Sequence, residues 1–483
     1  MYNVRMRDAI PTGLVRRLDA LLLAVLLLAR IRIDSLAEAA VLPLRQNDVA
    51  RHPFLGQLLP ARAMELLAQQ QFVDPVGLLL IVLALGCLGA YLLVHEFVVS
   101  PRVSYRARLL LISAIILLTV FAPSLKLTLL RQGSGPASYC HDGGVIQTEA
   151  TIAYLLAGRN PYVEDYLKTP MAEWGIGEFR TALYHYPYLP WTFLFSAPFK
   201  LIAERLIGWY DQRFVYLLLF AIALLLAADL ARQPTARLLL VMLLGLNPLL
   251  GSDLIYGQND SFVLAWLIVS LWLWARGQRS AAARGWTWGS AAAFGLACAS
   301  KPTAWFLAPF YLLLLAGGDV ADLWQRPVSW LRRVGLAFWP AMLALLAIVG
   351  PYLLWDPAAM FDDVWAWANG TSPTAYQIWG WGASNLLLAT GQLPNRFVYW
   401  PFWIPQLVLG APLLLLLVWR QARHNTLERA LWGYGLFLLV FFYVSRFMNE
   451  NYLGYILALL TLGALAETPS RHDDHAASVV GVG

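Results

Sequence analysis

Charge is scarce in this chain. Of 483 residues only 13% are Asp, Glu, Lys or Arg, whereas 59% are hydrophobic, and the mean hydropathy is +0.58. A soluble protein needs more charge than this to cover its surface, so the shortage points to a polytopic membrane protein. Lysine is scarcer still. Lys126, Lys168, Lys200 and Lys301 are the only four among 35 basic residues. The formal charge of +6 does not mark a nucleic-acid partner, because the arginines gather in short turns at the ends of apolar runs, as the positive-inside rule expects. Cysteine is limited to Cys87, Cys140 and Cys298, with no CxxC pair and no zinc spacing. Neither a disulfide framework nor a metal centre is implied. The opening apolar stretch lacks a small-residue cleavage site, which reads as an uncleaved anchor.

Long apolar runs are what the sequence has in plenty. They cover 18–29, 76–96, 109–130, 189–205, 214–230, 238–250, 262–274, 286–299, 304–315, 334–355, 398–419, 430–444 and 452–465. They are continuous rather than alternating, and backbone in lipid must satisfy its own hydrogen bonds, so helices are favoured over a barrel. The expected fold is an all-α polytopic membrane protein of about 12–13 transmembrane helices.

Loop charge sets the expected orientation. The turns holding Arg102, Arg106 and Arg108, and Arg276, Arg279 and Arg284, carry three cations each and no acid. They should be cytoplasmic. The segment 131–187 carries four cations (Arg131, Arg159, Lys168, Arg180) and six acids (Asp142, Glu149, Glu164, Asp165, Glu173, Glu178), and should face outward. Residues 356–397 carry a net −2 and should do the same. The chain divides into N-terminal spans (1–130), a polar outer loop (131–187), a central span module (188–315) and C-terminal spans (316–483). Between 187 and 260 three apolar runs separate two outward segments. Either one run fails to cross or the Arg232–Arg237 turn is outer.

The polar loop carries the densest chemistry. It reads Cys140-His141-Asp142-Gly143-Gly144, then a stretch to Ala157 with Gln147, Thr148, Glu149 and Thr151 on one side, then Gly158-Arg159-Asn160-Pro161-Tyr162. The stretch predicts an amphipathic helix along the outer interface, ended by Gly158. Asp142 is placed either to cap that helix or to act as a base. Three further elements fall at the same face by topology: Tyr184-His185-Tyr186-Pro187-Tyr188-Leu189-Pro190-Trp191, Tyr256-Gly257-Gln258-Asn259-Asp260, and Ser300-Lys301-Pro302-Thr303. Their convergence on one site is the central expectation.

In that order these motifs resemble the integral-membrane GT-C glycosyltransferases, and within them glycosyltransferase family 87, the polyprenyl-phosphate-mannose-dependent mannosyltransferases. The likeness covers residues 140–315, with hydropathy alone beyond. It departs where Tyr-Pro-Tyr-Leu-Pro replaces adjacent prolines and where two extra apolar runs precede Asp142. The resemblance implies a GT-C fold and inverting transfer from a lipid-phosphate sugar, with mannose first in line, to a hydroxyl of a glycolipid or glycan at the outer face of the cell membrane. No cofactor is implied; the lipid-linked sugar is a substrate, and membrane lipid the other partner. On that reading Asp142 is the general base. Lys301 and Arg446, cations at ends of apolar runs, offset the charge of the departing phosphate, and His185 binds the phosphate or assists the base. Gln258, Asp260 and Glu149 are the candidate substrate contacts, and no residue is assigned to metal. The structural alternatives are a snorkelling Lys301, an interfacial anchor at Arg446, an aromatic-belt His185 and a plain polar turn at Gln258–Asp260. A secondary transporter, or a related enzyme of arabinosyl, glucosyl or oligosaccharide specificity, remains open.

Overall fold

The computed structural model describes residues 12–41, 46–71, 73–140, 144–173, 177–280, 283–317 and 325–469. The chain is an all-α polytopic membrane protein. Its principal helices are α1 (Thr12–Val41), α2 (Pro75–Phe97), α3 (Pro101–Ser134), α4 (Gly144–Leu156), α5 (Trp191–Ile207), α6 (Arg213–Leu230), α7 (Pro234–Gly245) and α8 (Pro248–Tyr256). They continue with α9 (Asp260–Arg279), α10 (Ala283–Cys298), α11 (Pro302–Ala316), α12 (Pro327–Trp355), α13 (Trp403–Arg423), α14 (Leu427–Tyr443) and α15 (Glu450–Leu465).

The apolar runs are helical over most of their length, and they differ in reach. Among the described residues six helices (α2, α3, α6, α9, α12, α13) are long and apolar enough to cross a membrane alone. The pair α7–α8, bent by 48°, makes a seventh if it is one span. The bend has a local cause. Pro248 cannot donate to the ladder, and the Asn247 side chain accepts from the N–H groups of Leu249 and Leu250, so one helix ends and another is capped within two residues.

Helix α9 is the buried centre, packed between α6 and α10, while α2, α12 and α13 turn most of their apolar surface outward. The two ends of the bundle differ in charge. At one end Arg276 pairs with Asp229 at 2.8 Å and Arg232 approaches Glu467. At the other, Leu189 N–H donates to the Ser300 carbonyl (3.0 Å), Trp191 N–H to Ala299 (3.0 Å), and Arg131 pairs with Asp211 (2.8 Å). These last contacts hold the start of α5 and the segment that follows it.

The N-terminal helices are not a loose appendage. Arg30 of α1 is fully buried, donates to the Pro248 carbonyl at 2.9 Å at the α7–α8 break, and is neutralised by Asp34 at 2.5 Å.

Candidate functional site

Helix α4 forms over the expected residues and Gly158, at φ +72°, follows its end. Its polar residues Gln147, Thr148 and Thr151 are buried against protein. The Gln147 amide donates to the carbonyls of Ala182 (2.9 Å) and His185 (2.6 Å), and the Thr151 and Tyr166 hydroxyls lie 2.8 Å apart. The polar stripe folds inward because the loop after it offers carbonyls and tyrosines to satisfy it.

Glu149 also turns inward. Its carboxylate accepts both arms of Arg131 (2.9 and 2.7 Å) and the Gln212 N–H (2.9 Å). Arg131 also reaches Asp211, which Arg213 grips through two nitrogens. Burial pushes the Asp211 carboxyl up, and Arg213 and Arg131 more than offset it, holding it below the usual carboxylate range. Arg213 spends its remaining donor on the carbonyls of Tyr139 and Ile255, binding the polar loop to the turn after α8. Glu149 is thus fully engaged in a charge network, not free to meet a substrate.

The expected convergence is present for three of the four elements. Lys301 Nζ donates to Asp260 Oδ1 at 2.6 Å, and Asn451 donates to the other oxygen. Tyr188 and Tyr452 flank the Lys301 ammonium at 5.9 and 5.1 Å from their ring centres. Gly257 packs against Val145 of α4 so closely that a Cβ there would overlap the valine, at a φ of +92°. Asp142 lies outside the described residues. Gly144, two positions on, lines the cavity described next.

That cavity has a volume of about 620 Å³. Gly144, Gln147, Tyr188, Lys301 and Thr303 line it, as do Trp365, Trp367, Tyr376, Trp400 and Trp403. Arg446, Asn449, Asn451 and Tyr452 complete it. Its lining mixes polar and charged groups with many aromatic and apolar side chains. Several buried polar atoms on its surface have no hydrogen-bond partner: Thr303 Oγ1, Trp367 Nε1, Asn449 Oδ1 and Asn451 Oδ1. Native interiors rarely leave such atoms unpaired without a reason, so they point to a polar occupant.

Arg446 is the most unusual member. It is 2% exposed, and its guanidinium donates only to main-chain carbonyls: Tyr376 (2.6 Å), Val398 (2.9 Å), Phe397 (3.2 Å) and Arg396 (3.4 Å). Among the described residues it forms no ion pair. Burial lowers its pKa to about 10, which leaves it a cation at neutral pH. Its place is built by two glycines. Gly370, at φ +86°, gives way to the guanidinium, and Gly380, at φ +91°, lies where a Cβ would overlap the Met448 carbonyl. The second permits a short parallel pairing of Trp379–Gly380 with Phe447–Met448, fixing the outer loop beside Arg446.

His185 does not line the cavity. Its Nδ1 lies 2.9 Å from Asp363 Oδ1 and its Nε2 2.6 Å from the Thr374 hydroxyl, while Asp363 Oδ2 accepts from the Tyr186 N–H. Burial pushes the Asp363 carboxyl up to about 6. The imidazole packs on Trp367, which does line the cavity. Asp260 sits behind Lys301 as its counter-charge. Gln258 Oε1 is buried without a partner, and Gln258 is not among the lining residues. Asp362, Asp363, Thr374, Trp367 and Asn451 were not assigned from sequence. For Asn449 and Asn451 the signal was proximity to Arg446 in Ser-Arg-Phe-Met-Asn-Glu-Asn.

Comparison with family models, with curated proteins and with solved structures finds no match to this chain.

Proposed function

We propose that the chain is a glycosyltransferase. It moves a sugar, mannose first in line, from a polyprenyl phosphate to a hydroxyl of a glycolipid or glycan at the outer face of the membrane. The observation that carries this reading is Arg446, a buried cation that among the described residues has no carboxylate partner, on the lining of a cavity that also carries many aromatic and apolar side chains. A lipid phosphate has the matching halves, an anionic head and a greasy tail. Lys301 adds a second cation, partly neutralised by Asp260. The resemblance in motif order, from Asp142 to Lys301, supports the same choice.

In the reaction the acceptor oxygen forms a bond to the sugar's anomeric carbon from the face opposite the phosphate. The bond from that carbon to the phosphate oxygen breaks, so configuration inverts. The acceptor proton goes to Asp142, and the electron pair leaves with the polyprenyl phosphate. Negative charge then grows on the phosphate, where Arg446 and Lys301 hold it. Arg446 suits this role because its main-chain contacts fix it in place before any charge develops.

The test is donor dependence. Purified protein in lipid nanodiscs should transfer label from polyprenyl-phosphate mannose to a membrane glycolipid fraction. Transfer from a nucleotide sugar in the absence of any lipid carrier, or transport of a solute without covalent transfer, would reject the reading.

A further inference from the structure

Outside the cavity, one cluster has a cation-shaped gap in its chemistry. His185 Nδ1 lies 2.9 Å from Asp363 Oδ1 and 3.5 Å from Asp362 Oδ2. The three ligand atoms are within 4.8 Å of one another. Among the described residues no lysine or arginine pairs with either aspartate; His185 is the only charged partner of Asp363 apart from Asp362. Two carboxylates and an imidazole nitrogen converge here and are held together either by a proton on Nδ1 or by a metal ion.

The spacing suits a metal. Ligand bonds of about 2.0–2.2 Å at octahedral or tetrahedral angles put neighbouring donor atoms about 3.0–3.5 Å apart, the range of the two His185–aspartate separations. We propose that His185, Asp362 and Asp363 form a binding site for one divalent transition ion of the Mn²⁺ or Zn²⁺ type. An imidazole beside two carboxylates favours these ions over Mg²⁺ or Ca²⁺, which prefer all-oxygen sets. The surroundings are organised to match. Nε2 lies 2.6 Å from the Thr374 hydroxyl, to which it donates when Nδ1 holds the ion, and this contact fixes the ring with Nδ1 toward the aspartates. Asp363 anchors Oδ2 on the Tyr186 N–H and leaves Oδ1 for the ion. Asp362 is 44% exposed at its side chain and open to water, which completes the coordination. Both aspartates come from a π-helical turn, Asp362–Ala366, a distortion that frequently accompanies function.

The ion acts as a clamp rather than as part of the bond-making step. His185 precedes α5, and the aspartates follow α12, 178 residues later for Asp363. Joining them presses the imidazole against Trp367 and so sets one wall of the cavity. The site stands apart from the proposed transfer reaction, and its test uses no activity readout.

EDTA-treated, metal-free protein in nanodiscs is titrated with MnCl₂, and separately with ZnCl₂, by calorimetry, and its Tm is recorded with and without each ion. The comparison protein is Asp362→Asn, chosen because Asp362 is the most exposed of the three and its other side-chain contact is the Ser372 hydroxyl at 3.4 Å. The expected result is a Tm for metal-free Asp362→Asn equal to that of the metal-free parent. On adding the ion, the parent Tm rises and the variant Tm does not, and the variant's affinity falls by ~10-fold or more. The run His472-Asp473-Asp474-His475 near the C-terminus offers other ligands. The difference between parent and Asp362→Asn is therefore the deciding quantity. His185→Gln should show the same loss. Equal affinity in the parent and both variants, or no stabilisation of the parent by either ion, overturns the proposal and leaves a hydrogen bond between His185 and Asp363 as what joins them.

Discussion

Two buried charged clusters sit at the same end of this molecule and behave in opposite ways. In the first, Arg131, Glu149, Asp211 and Arg213 answer one another, with two carboxylates for two guanidinium groups and further donors spent on carbonyls. In the second, Arg446 meets only carbonyls, and Thr303, Trp367, Asn449 and Asn451 carry unpartnered atoms around a cavity of about 620 Å³. A closed network holds loops together. An open one holds a place for something else. Glu149 and Arg446 were equal candidates in the sequence, and the difference between them lies wholly in what surrounds each charge.

Breaking the closed network should have the largest effect. Arg213→Met leaves Asp211 buried with only Arg131 and frees the carbonyls of Tyr139 and Ile255. The expected loss is about 3–5 kcal/mol, seen as a large drop in Tm in detergent or as failure to fold. A variant with unchanged Tm would mean that the network is not what ties the polar loop to the bundle. Next comes Asp142→Asn, which preserves capping ability but cannot take a proton. Turnover should fall by ~100-fold or more with Tm unchanged. Near-normal turnover would reduce Asp142 to a helix cap. Glu149 would not replace it, since its oxygens are already occupied.

Much of this architecture was legible in the sequence. The run 76–96 became Pro75–Phe97, and 214–230 became Arg213–Leu230, because continuous apolar character and a proline or polar boundary suffice to mark such helices. The meeting of Asp260 with Lys301 was also foreseeable, since opposite charges at the ends of adjacent helices fall at one face. Other features could not be read. Periodicity tells which residues of α4 share a side, but not whether water or protein covers it, so the inward turn of Gln147 and Thr151 was hidden. His185 and Asp363 are joined only by tertiary folding. The isolation of Arg446 depends on main-chain carbonyls, which every sequence has and none displays.

A smaller effect sharpens the comparison from the side of the open cluster. Gly380→Ala forces a Cβ against the Met448 carbonyl at a backbone angle that alanine disfavours, at an expected strain of about 1–3 kcal/mol. The pairing of Trp379–Gly380 with Phe447–Met448 should loosen, lowering Tm modestly while raising the KM for the donor more than it lowers kcat. A pure loss of kcat would mean that this pairing does not position Arg446. Lys301→Met should fall between these extremes. Asp260 would be left without its cation, and donor affinity should weaken by less than on loss of Arg446, because Lys301 is already partly neutralised.

The most direct test is binding of polyprenyl phosphate to the parent protein and to Arg446→Gln in nanodiscs, with the uncharged polyprenol as the control. A charge-assisted hydrogen bond contributes about 1.5–3 kcal/mol, so Arg446→Gln should bind the phosphate ~10- to 100-fold more weakly. Both proteins should bind polyprenol equally, and Arg446→Lys should recover part of the phosphate affinity. If Arg446→Gln folds and holds polyprenyl phosphate as tightly as the parent, the unpaired cation is only a tether for residues 376–398, and the cavity is not a phosphate site.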